Sequence, residues 1–345
     1  MKFGGFDHVD DSGEPLSVHL ENRLKMTEAY DRCGFYGYHV AEHHGTPLGF
    51  APSPSVYLAA VAQRTKRLHF GPMVYLLPLY HPIRLIEEIC MLDQMSKGRL
   101  LLGVGRGVSP IEQAFYGVNL AETATVYRES LEIVLKGLQS DSLSFSGANF
   151  KYDKVPMTIR PYQQPHPPLW YGALHPDSMV WAAENDANVL TLGLSDPVKT
   201  IADRFKAEWK KLGKPEAALP CIGVSRHVVV APTDKEAREI ATRGYKMWHD
   251  SFAKLWYDNG LPVPFVESIY PQDWDQLQEI GNGFAGSPEK VRNWVVEEVE
   301  KTGINYFAAW FMFGNIALDE GLRSVELFSE HVMSAFAPAR AAATA

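Results

Sequence analysis

The sequence predicts an α/β fold, a single (β/α)8 TIM barrel with insertions. Short apolar segments alternate with longer amphipathic ones along the chain, which is typical of parallel strands joined by helices. The composition does not break anywhere across the 345 residues, and a barrel often uses that length as one domain. A doubly wound sheet is the alternative, but no Gly-x-Gly-x-x-Gly motif opens the first helix.

Apolar runs bounded by turn residues are the predicted barrel strands. The fourth run, LLLGVG, is apolar throughout, as expected for a strand that is buried on both faces. The predicted strands are residues 2–6, 36–41, 67–77, 100–105, 168–173, 187–193, 222–231 and 306–313.

A helical candidate follows each predicted strand, and the first two carry clear end signals. The first helix ends at Gly34, since glycine commonly terminates helices. Ser53 and Pro54 suit the N-cap and the first position of the second helix. The most clearly delimited helices are residues 17–33, 53–65, 82–96, 121–139 and about 319–335.

Two segments fit the alternation poorly and are predicted insertions. Residues 141–167 contain FSGANFKYD, which resembles a hairpin placed before the fifth strand. Residues 259–283 are rich in proline, glycine and aromatics, and a segment of this length at the C-terminal end of the barrel would suit a lid. We therefore expect one domain over residues 1–336 and a disordered tail over residues 337–345.

Composition and charge exclude several function classes. A formal net charge of −8 argues against a nucleic-acid surface, and no apolar run is long enough for a membrane helix. Three widely spaced cysteines match neither a zinc site nor a disulfide framework, which indicates a reduced, cytoplasmic protein. Nucleotide-binding, metalloprotease and serine-hydrolase motifs are absent from the sequence.

The tripeptide Glu42-His43-His44 follows the second predicted strand, where barrel enzymes carry functional groups. Adjacent side chains after a strand point in different directions, so the two histidines are not expected to bind one metal ion. From the residues alone, two interpretations stay open. One is a solvated polar strand end, and the other is a proton-handling histidine in a half-buried mouth.

Two further strand ends carry candidate binding groups. Arg106 stands between glycines in GVGRG, where it could pair with a phosphate or a flavin carbonyl, or else lie exposed in a tight turn. The segment GALHPDS turns from a strand into a helix. Its first-turn N–H groups and the Ser178 hydroxyl could hold a phosphate, whereas ordinary capping by Asp177 or Ser178 is the alternative. The run GPMVYLLP would by itself be core.

Four segments carry a resemblance to a known family: MKFG, CGFYGYHVAEHH, HPIRLIEEICMLDQMSKGRLLLGVGRG and TGINYF. Together they resemble the bacterial luciferase-like family of flavin-dependent monooxygenases. The likeness runs from residue 1 to about residue 140, returns near the fifth strand, and continues from about Gly286. The order and spacing of EHH, HP-x-R-L-x-E and SKGR-x-x-x-G-x-G-R-G make it specific.

The resemblance implies a reaction and its cofactors. FMN would arrive reduced from a separate NAD(P)H:flavin reductase and react with O₂ to a C4a-(hydro)peroxyflavin. That species would oxygenate a small organic substrate, and an aldehyde or a ketone is the favoured substrate class. The family also implies a homodimer. The apolar face of residues 83–95 would suit the dimer contact, although the same face would be core in a monomer.

The resemblance also implies roles for single residues. His43 would handle the proton, with Glu42 as its orienting neighbour. Met73 and Val74 would be joined by a non-prolyl cis peptide under the flavin ring. The other implied cofactor contacts are Arg106 with the flavin, and Ala173, Leu174, His175 and Ser178 with the phosphate. Strand ends suggest that Phe6, Tyr75, Trp310 and Phe313 line the substrate space. Luciferase has an acidic residue at the position of Leu174 and a cysteine at that of Gly105.

Two other functions remain open on the same barrel. One is hydride transfer that depends on the deazaflavin F420, for which O₂ would be irrelevant. The other is a non-catalytic flavin-binding partner subunit, although such a subunit need not keep the EHH and GRG segments.

Overall fold

Parallel strands form a sheet that curls nearly into a closed barrel, as the sequence predicts. The computed structural model describes residues 1–265 and 268–336. In these residues the strands are β1 (Lys2–Asp7), β2 (Gly37–Val40), β3 (His69–Pro72), β4 (Tyr75–Leu76), β5 (Leu102–Gly105), β6 (Ser142–Ser146), β7 (Lys151–Pro156), β8 (Leu169–Gly172), β9 (Asn188–Thr191), β10 (Ile222–Val230), β11 (Gly283–Gly286) and β12 (Tyr306–Trp310).

The predicted third strand is interrupted, and this break is where the barrel closes. The sheet order is β3-β2-β1-β12-β10-β9-β8-β5-β4, so the two halves of one predicted strand lie at its two ends. A parallel bridge between Phe70 and Leu100 links β3 to the chain that enters β5. The peptide bond between Met73 and Val74, at the break, is cis.

Helices connect the strands and cover the outside of the sheet. Residues 82–96 were predicted as a helix, and the structure has it over the same range, followed by Lys97 in the left-handed conformation. The helices in the described residues are α1 (Leu16–Arg32), α2 (Pro54–Arg64), α3 (Pro82–Ser96), α4 (Pro110–Phe115), α5 (Thr123–Gln139), α6 (Met179–Glu184), α7 (Ser195–Lys211), α8 (Asp234–Asp258), α9 (Trp274–Glu279), α10 (Pro288–Thr302) and α11 (Leu318–Leu327). None of these helices is both long and apolar enough to cross a membrane.

The glycines of GVGRG serve strand packing. A Cβ added to Gly103 would lie 1.9 Å from the carbonyl oxygen of Pro72. A Cβ added to Gly105 would lie 2.3 Å from Cγ2 of Val74. Gly103 and Gly105 are therefore required by packing, because the chain between Pro72 and Val74 approaches β5 too closely for a side chain at either position.

The two predicted insertions agree with the structure to different extents. The hairpin is confirmed, since β6 and β7 pair antiparallel with Leu143 opposite Val155. The segment 259–283 contains α9 and leads into β11, which pairs with the second half of β10. This strand was missed because GFAG carries almost no strand signal of its own. The predicted disordered tail, residues 337–345, lies outside the described residues.

Candidate active site

The strand ends that were expected to converge do meet at one end of the barrel, since parallel strands place their carboxyl ends together. β1 lies between β2 and β12, and β8 lies beside β5. The residues that follow these strands therefore surround one opening, which we call the mouth.

His43 has a buried carboxylate as its partner. Its Nδ1 lies 3.1 Å from Oε1 of Glu112, and the backbone N–H of His44 donates to the same oxygen at 2.8 Å. Glu112 belongs to α4, where Ser109 caps the helix by accepting the N–H of Glu112 at 3.2 Å. Sequence reasoning missed Glu112 because the short α4 carries no motif that marks it.

The charge state of Glu112 determines which nitrogen of His43 is free. Burial raises the pKa of Glu112, but the adjacent His43 and the two N–H donors outweigh burial, so that the pKa is lowered overall. An ionised carboxylate only accepts, so His43 donates from Nδ1 and leaves Nε2 for other partners. The His43 side chain is 19% exposed and borders a cavity of about 40 Å³ together with Phe252 and Phe265.

The prediction that Glu42 orients His43 is wrong. Oε1 of Glu42 lies 2.8 Å from Nε2 of His44, and Oε2 accepts from the backbone N–H of Leu76 at 3.1 Å and from the Tyr80 hydroxyl at 2.9 Å. Residues two apart in extended chain share a side, so Glu42 meets His44 and not His43. Burial raises the pKa of Glu42 despite these hydrogen bonds. Glu42 therefore links the end of β2 to β4.

His44, which had no predicted role, bridges two groups. Its Nε2 contacts Glu42, and its Nδ1 lies 2.8 Å from the hydroxyl of Tyr116. Both nitrogens are thus engaged inside the protein. This leaves His43 as the histidine of the pair with a nitrogen that faces the mouth.

The predicted cofactor residues lie on neighbouring strand ends. Met73 and Val74 are half-buried at the break in the barrel. Arg106 is exposed, and within residues 1–265 and 268–336 its guanidinium has no hydrogen-bond or ion-pair partner. β5 and β8 are hydrogen-bonded neighbours, so the segment after β5 lies beside the segment after β8. An unpaired cation beside the start of a short helical turn fits an anionic group.

The segment after β8 is open, and its polar groups are engaged locally. Ala173 is buried, Leu174 is 49% exposed, and His175 is exposed with its Nδ1 3.4 Å from Asp177. The Ser178 hydroxyl donates to the carbonyl oxygen of His175 at 2.7 Å, so its proton is not free for a phosphate. A groove of about 400 Å³ borders Ser178. Its other lining residues include Tyr127, Tyr171 and Trp181.

Of the four predicted substrate-lining residues, two lie at the mouth. Phe6 and Trp310 stack with ring centroids 4.7 Å apart, and both rings contact His8. Tyr75 is fully buried and directed away from the mouth, because its hydroxyl lies 2.9 Å from Oγ of Ser55 on the covering helix α2. Phe313 is also fully buried, enclosed by His227 and Trp274.

His8 was missed, although it directly follows β1 and the same strand-end rule would have found it. Its ring centroid lies 5.2 Å from that of His43. Its Nδ1 accepts from Nε1 of Trp248 at 3.1 Å. Burial, and then the positive charges that His43, His227 and Arg23 can carry, hold the pKa of His8 well below its usual range. The mouth therefore contains two adjacent imidazoles in different environments.

The segment 259–283 covers one side of this site. Pro264 and Phe265 line the cavity beside His43, and the Tyr270 ring packs on Trp248 and Trp310. A lid over the mouth would lie in this position. In the described side chains, no group of three or more His, Cys, Asp or Glu residues could hold a metal ion.

Sequence comparison identifies related proteins over nearly the whole chain. The model of a family described as luciferase-like monooxygenase matches residues 1–306. The protein y4wF of Sinorhizobium fredii is 37% identical over 96% of this chain and 96% of its own length. The alkanal monooxygenase alpha chain of the Kryptophanaron alfredi symbiont is 30% identical over 96% of this chain and 98% of its own. The oxygenase component of the flavin-dependent trigonelline monooxygenase of Acinetobacter baylyi is 26% identical over 99% and 97%.

Solved structures share the fold at lower identity. The oxygenating constituent of 3,6-diketocamphane monooxygenase from Pseudomonas putida, a type II Baeyer–Villiger monooxygenase in complex with FMN, matches with a TM-score of 0.81. It is 23% identical over 96% of this chain and 98% of that chain. The coenzyme F420-dependent tetrahydromethanopterin reductase of Methanopyrus kandleri matches with a TM-score of 0.72 at 18% identity, over 97% and 99%.

Proposed function

The chain belongs to the luciferase-like monooxygenase family, and from that premise we propose that it is the oxygenase of a two-component FMN-dependent monooxygenase. Its substrate is a small organic molecule, with an aldehyde or a ketone favoured. The observation that carries the proposal is the contact between His43 and Glu112, which provides a proton-handling imidazole at the open end of the barrel.

When bound, reduced FMN supplies the electrons that activate O₂. His43 holds or releases a proton at Nε2, because Nδ1 is engaged with Glu112. The ionised Glu112 holds the His43 ring with its Nδ1–H directed at the carboxylate, and the aromatic walls of Phe6 and Trp310 exclude water from the reacting atoms.

The chain's own groups support FMN as the cofactor. Arg106, which is unpaired among the described residues, can donate hydrogen bonds to the phosphate or to a flavin carbonyl. The backbone N–H groups of Leu174, His175 and Asp177 are the remaining donors for the phosphate. The N–H groups of Ala173 and Ser178 already donate to carbonyl oxygens, the Ser178 hydroxyl is engaged, and Pro176 has no N–H. Met73 and Val74 would lie against the ring. A solved structure that shares the fold is described as a complex with FMN, which supports FMN as the cofactor proposed here.

A separate NAD(P)H:flavin reductase completes the proposed system. The Acinetobacter baylyi relative is described as an oxygenase component, so that protein works with a further component. We extend this arrangement to the present chain. Its reaction would then consume NADH only when a reductase is added.

The oxygenase is proposed to be a cytoplasmic homodimer. Met91 and Met95 on α3 are 57% and 45% exposed, although methionine is more often buried. Such side chains are usually covered in an assembly. Sedimentation should give a dimer for the wild type and a monomer for Met91→Glu, and a wild-type monomer would contradict the assembly.

The experiment for the activity combines the purified chain with a flavin reductase, NADH, FMN and O₂. Aldehyde, ketone and sulfide test substrates are supplied in turn. We expect oxygenated product only when all components are present. Tight F420 binding with negligible FMN binding, or turnover without O₂, would favour hydride transfer instead.

A further inference from the structure

His8 is held in one tautomer by its neighbour. The indole Nε1–H of Trp248 donates to Nδ1 of His8 at 3.1 Å, so Nδ1 must carry the lone pair. The proton of the neutral ring is therefore on Nε2. No protein group among residues 1–265 and 268–336 pairs with Nε2, and this atom is not among the nitrogens sealed from solvent.

His8 and His43 present opposite polarities to the mouth. Their ring centroids lie 5.2 Å apart. His43 donates from Nδ1 to Glu112, so its neutral ring offers a lone pair at Nε2. His8 offers an N–H at Nε2. The pair is thus one hydrogen-bond donor beside one proton acceptor.

Buried ion pairs hold the segment Asp7 to Asp10, which carries His8. Arg23 contacts Asp7 at 3.2 Å and Asp10 at 3.3 Å, and all three side chains are buried. Asp10 also accepts the backbone N–H of Gly314 at 2.6 Å. Val9 has φ of 54°, a left-handed conformation that is unusual for a β-branched residue. Conformations of this kind persist where the surroundings enforce them, and they cluster at functional sites.

We propose that His8 binds the substrate, its Nε2–H donating a hydrogen bond to a carbonyl oxygen while Phe6 and Trp310 pack against the rest of the molecule. This assignment rests on the proposed oxygenase function and names the substrate class of that site. An uncharged acceptor is favoured over a carboxylate, because His8 is neutral and the anionic Glu112 lies close to its neighbour His43.

The test uses three variants of the full chain with reductase, FMN and O₂. His8→Phe removes the donor, and His8→Gln keeps an N–H near the same place. His249→Phe is the matched control, since this buried histidine follows Trp248 and its Nε2 is sealed without a partner. The test substrates are cyclohexanone, which has an acceptor oxygen, and methyl phenyl sulfide, which has none.

We expect His8→Phe to raise KM for cyclohexanone and lower kcat/KM by about tenfold, the size of one hydrogen bond. KM for the sulfide should stay unchanged, His8→Gln should recover most of the loss, and His249→Phe should resemble the wild type. Equal effects on both substrates would overturn the assignment. Turnover of the sulfide alone by the wild type would overturn it as well.

Two measurements that do not depend on turnover complete the test. ¹⁵N NMR of labelled histidines should show a neutral Nε2–H tautomer between pH 5.5 and 8.5 that is lost in His8→Phe, and an Nδ1–H tautomer would contradict the assignment. The affinity for FMN should not change in His8→Phe, because His8 is proposed to contact the substrate. A weaker affinity for FMN together with an unchanged KM for the substrate would place the contact on the flavin and overturn the assignment. If the wild type oxygenates neither substrate, the proposed function itself fails.

Discussion

His43 and Glu112 form a hydrogen-bonded pair, with Nδ1 3.1 Å from Oε1, although 69 residues separate them in the chain. The second strand end supplies the imidazole, and the helix after the fourth predicted strand supplies the carboxylate. Glu112 also accepts the N–H of His44 at 2.8 Å, which fixes the carboxylate independently of the His43 side chain. The pair therefore provides an oriented proton-handling group at the mouth.

The Glu112 charge is the first target for mutation. In Glu112→Gln the amide oxygen can still accept both N–H groups, but the negative charge is lost. We expect kcat/KM to fall about fivefold, because a hydrogen bond to a charged group is worth roughly 1 kcal/mol more than a neutral one. Stopped-flow assays measure the change in kcat/KM, the exposed Glu122→Gln is the control, and an undiminished kcat/KM in Glu112→Gln would contradict the role of the charge.

Removing Glu42 should affect stability more than proton transfer. Glu42→Ala leaves the Leu76 N–H and the Tyr80 hydroxyl without their acceptor in a buried place. We expect the free energy of unfolding to fall by about 2–4 kcal/mol, with Glu42→Gln losing less. Urea unfolding measures the loss. A loss of kcat/KM in Glu42→Gln as large as that in Glu112→Gln would contradict the role of Glu42 as a link between β2 and β4.

Gly105 should not tolerate a side chain. A Cβ there would lie 2.3 Å from Cγ2 of Val74, whereas at Gly172 the nearest atom, Cγ1 of Val74, is 4.0 Å away. We expect Gly105→Ala to lose about 1–3 kcal/mol of stability, as overpacked sites do, and to weaken FMN binding by displacing Val74. Gly172→Ala is the matched control, with a smaller loss. Thermal unfolding and fluorescence titration with FMN compare the two, and equal behaviour would contradict the packing argument.

Asp10 should make stability depend on pH. Burial raises its pKa to about 7, although Arg23 and the Gly314 N–H act against burial. Between about pH 4 and pH 7 the folded chain binds a proton that the unfolded chain lacks, so stability falls as the pH rises. Relative to Asp10→Asn, the wild type should lose up to about 1.4 kcal/mol per pH unit in this window. Urea unfolding at several pH values checks this, and parallel curves for the two proteins would contradict it.

The sequence predicted the barrel and its mouth well because both follow from local patterns. Apolar runs and helix end signals placed the strands, and the strand-end rule then brought His43, Arg106 and Ser178 to the same end of the barrel. Pairing across the mouth could not be predicted in this way. Glu112 reaches His43 from a different loop, and only tertiary structure shows that contact.

Side-chain direction was the second limit. Glu42 and Tyr75 stand at strand ends, yet one contacts His44 and the other points toward α2. A shift of one residue along an extended strand reverses the face of a side chain, and sequence alone does not fix that register. His8 shows the opposite case. It directly follows a strand, as the strand-end rule requires, but its tautomer depends on the hydrogen bond from Trp248, which the sequence does not show.

In the reaction that we propose, this chain uses reduced FMN and O₂ to oxygenate its substrate, with His43 handling the proton. The most direct measurement is the reductase-coupled reaction under ¹⁸O₂, with wild type and His43→Ala compared by mass spectrometry of the product. A monooxygenase reaction should place one ¹⁸O atom in each product molecule of the wild type. In His43→Ala, product should fall about 100-fold, in the range of acid–base catalysis, while FMN still binds. Unlabelled product, or undiminished product from His43→Ala, would contradict it.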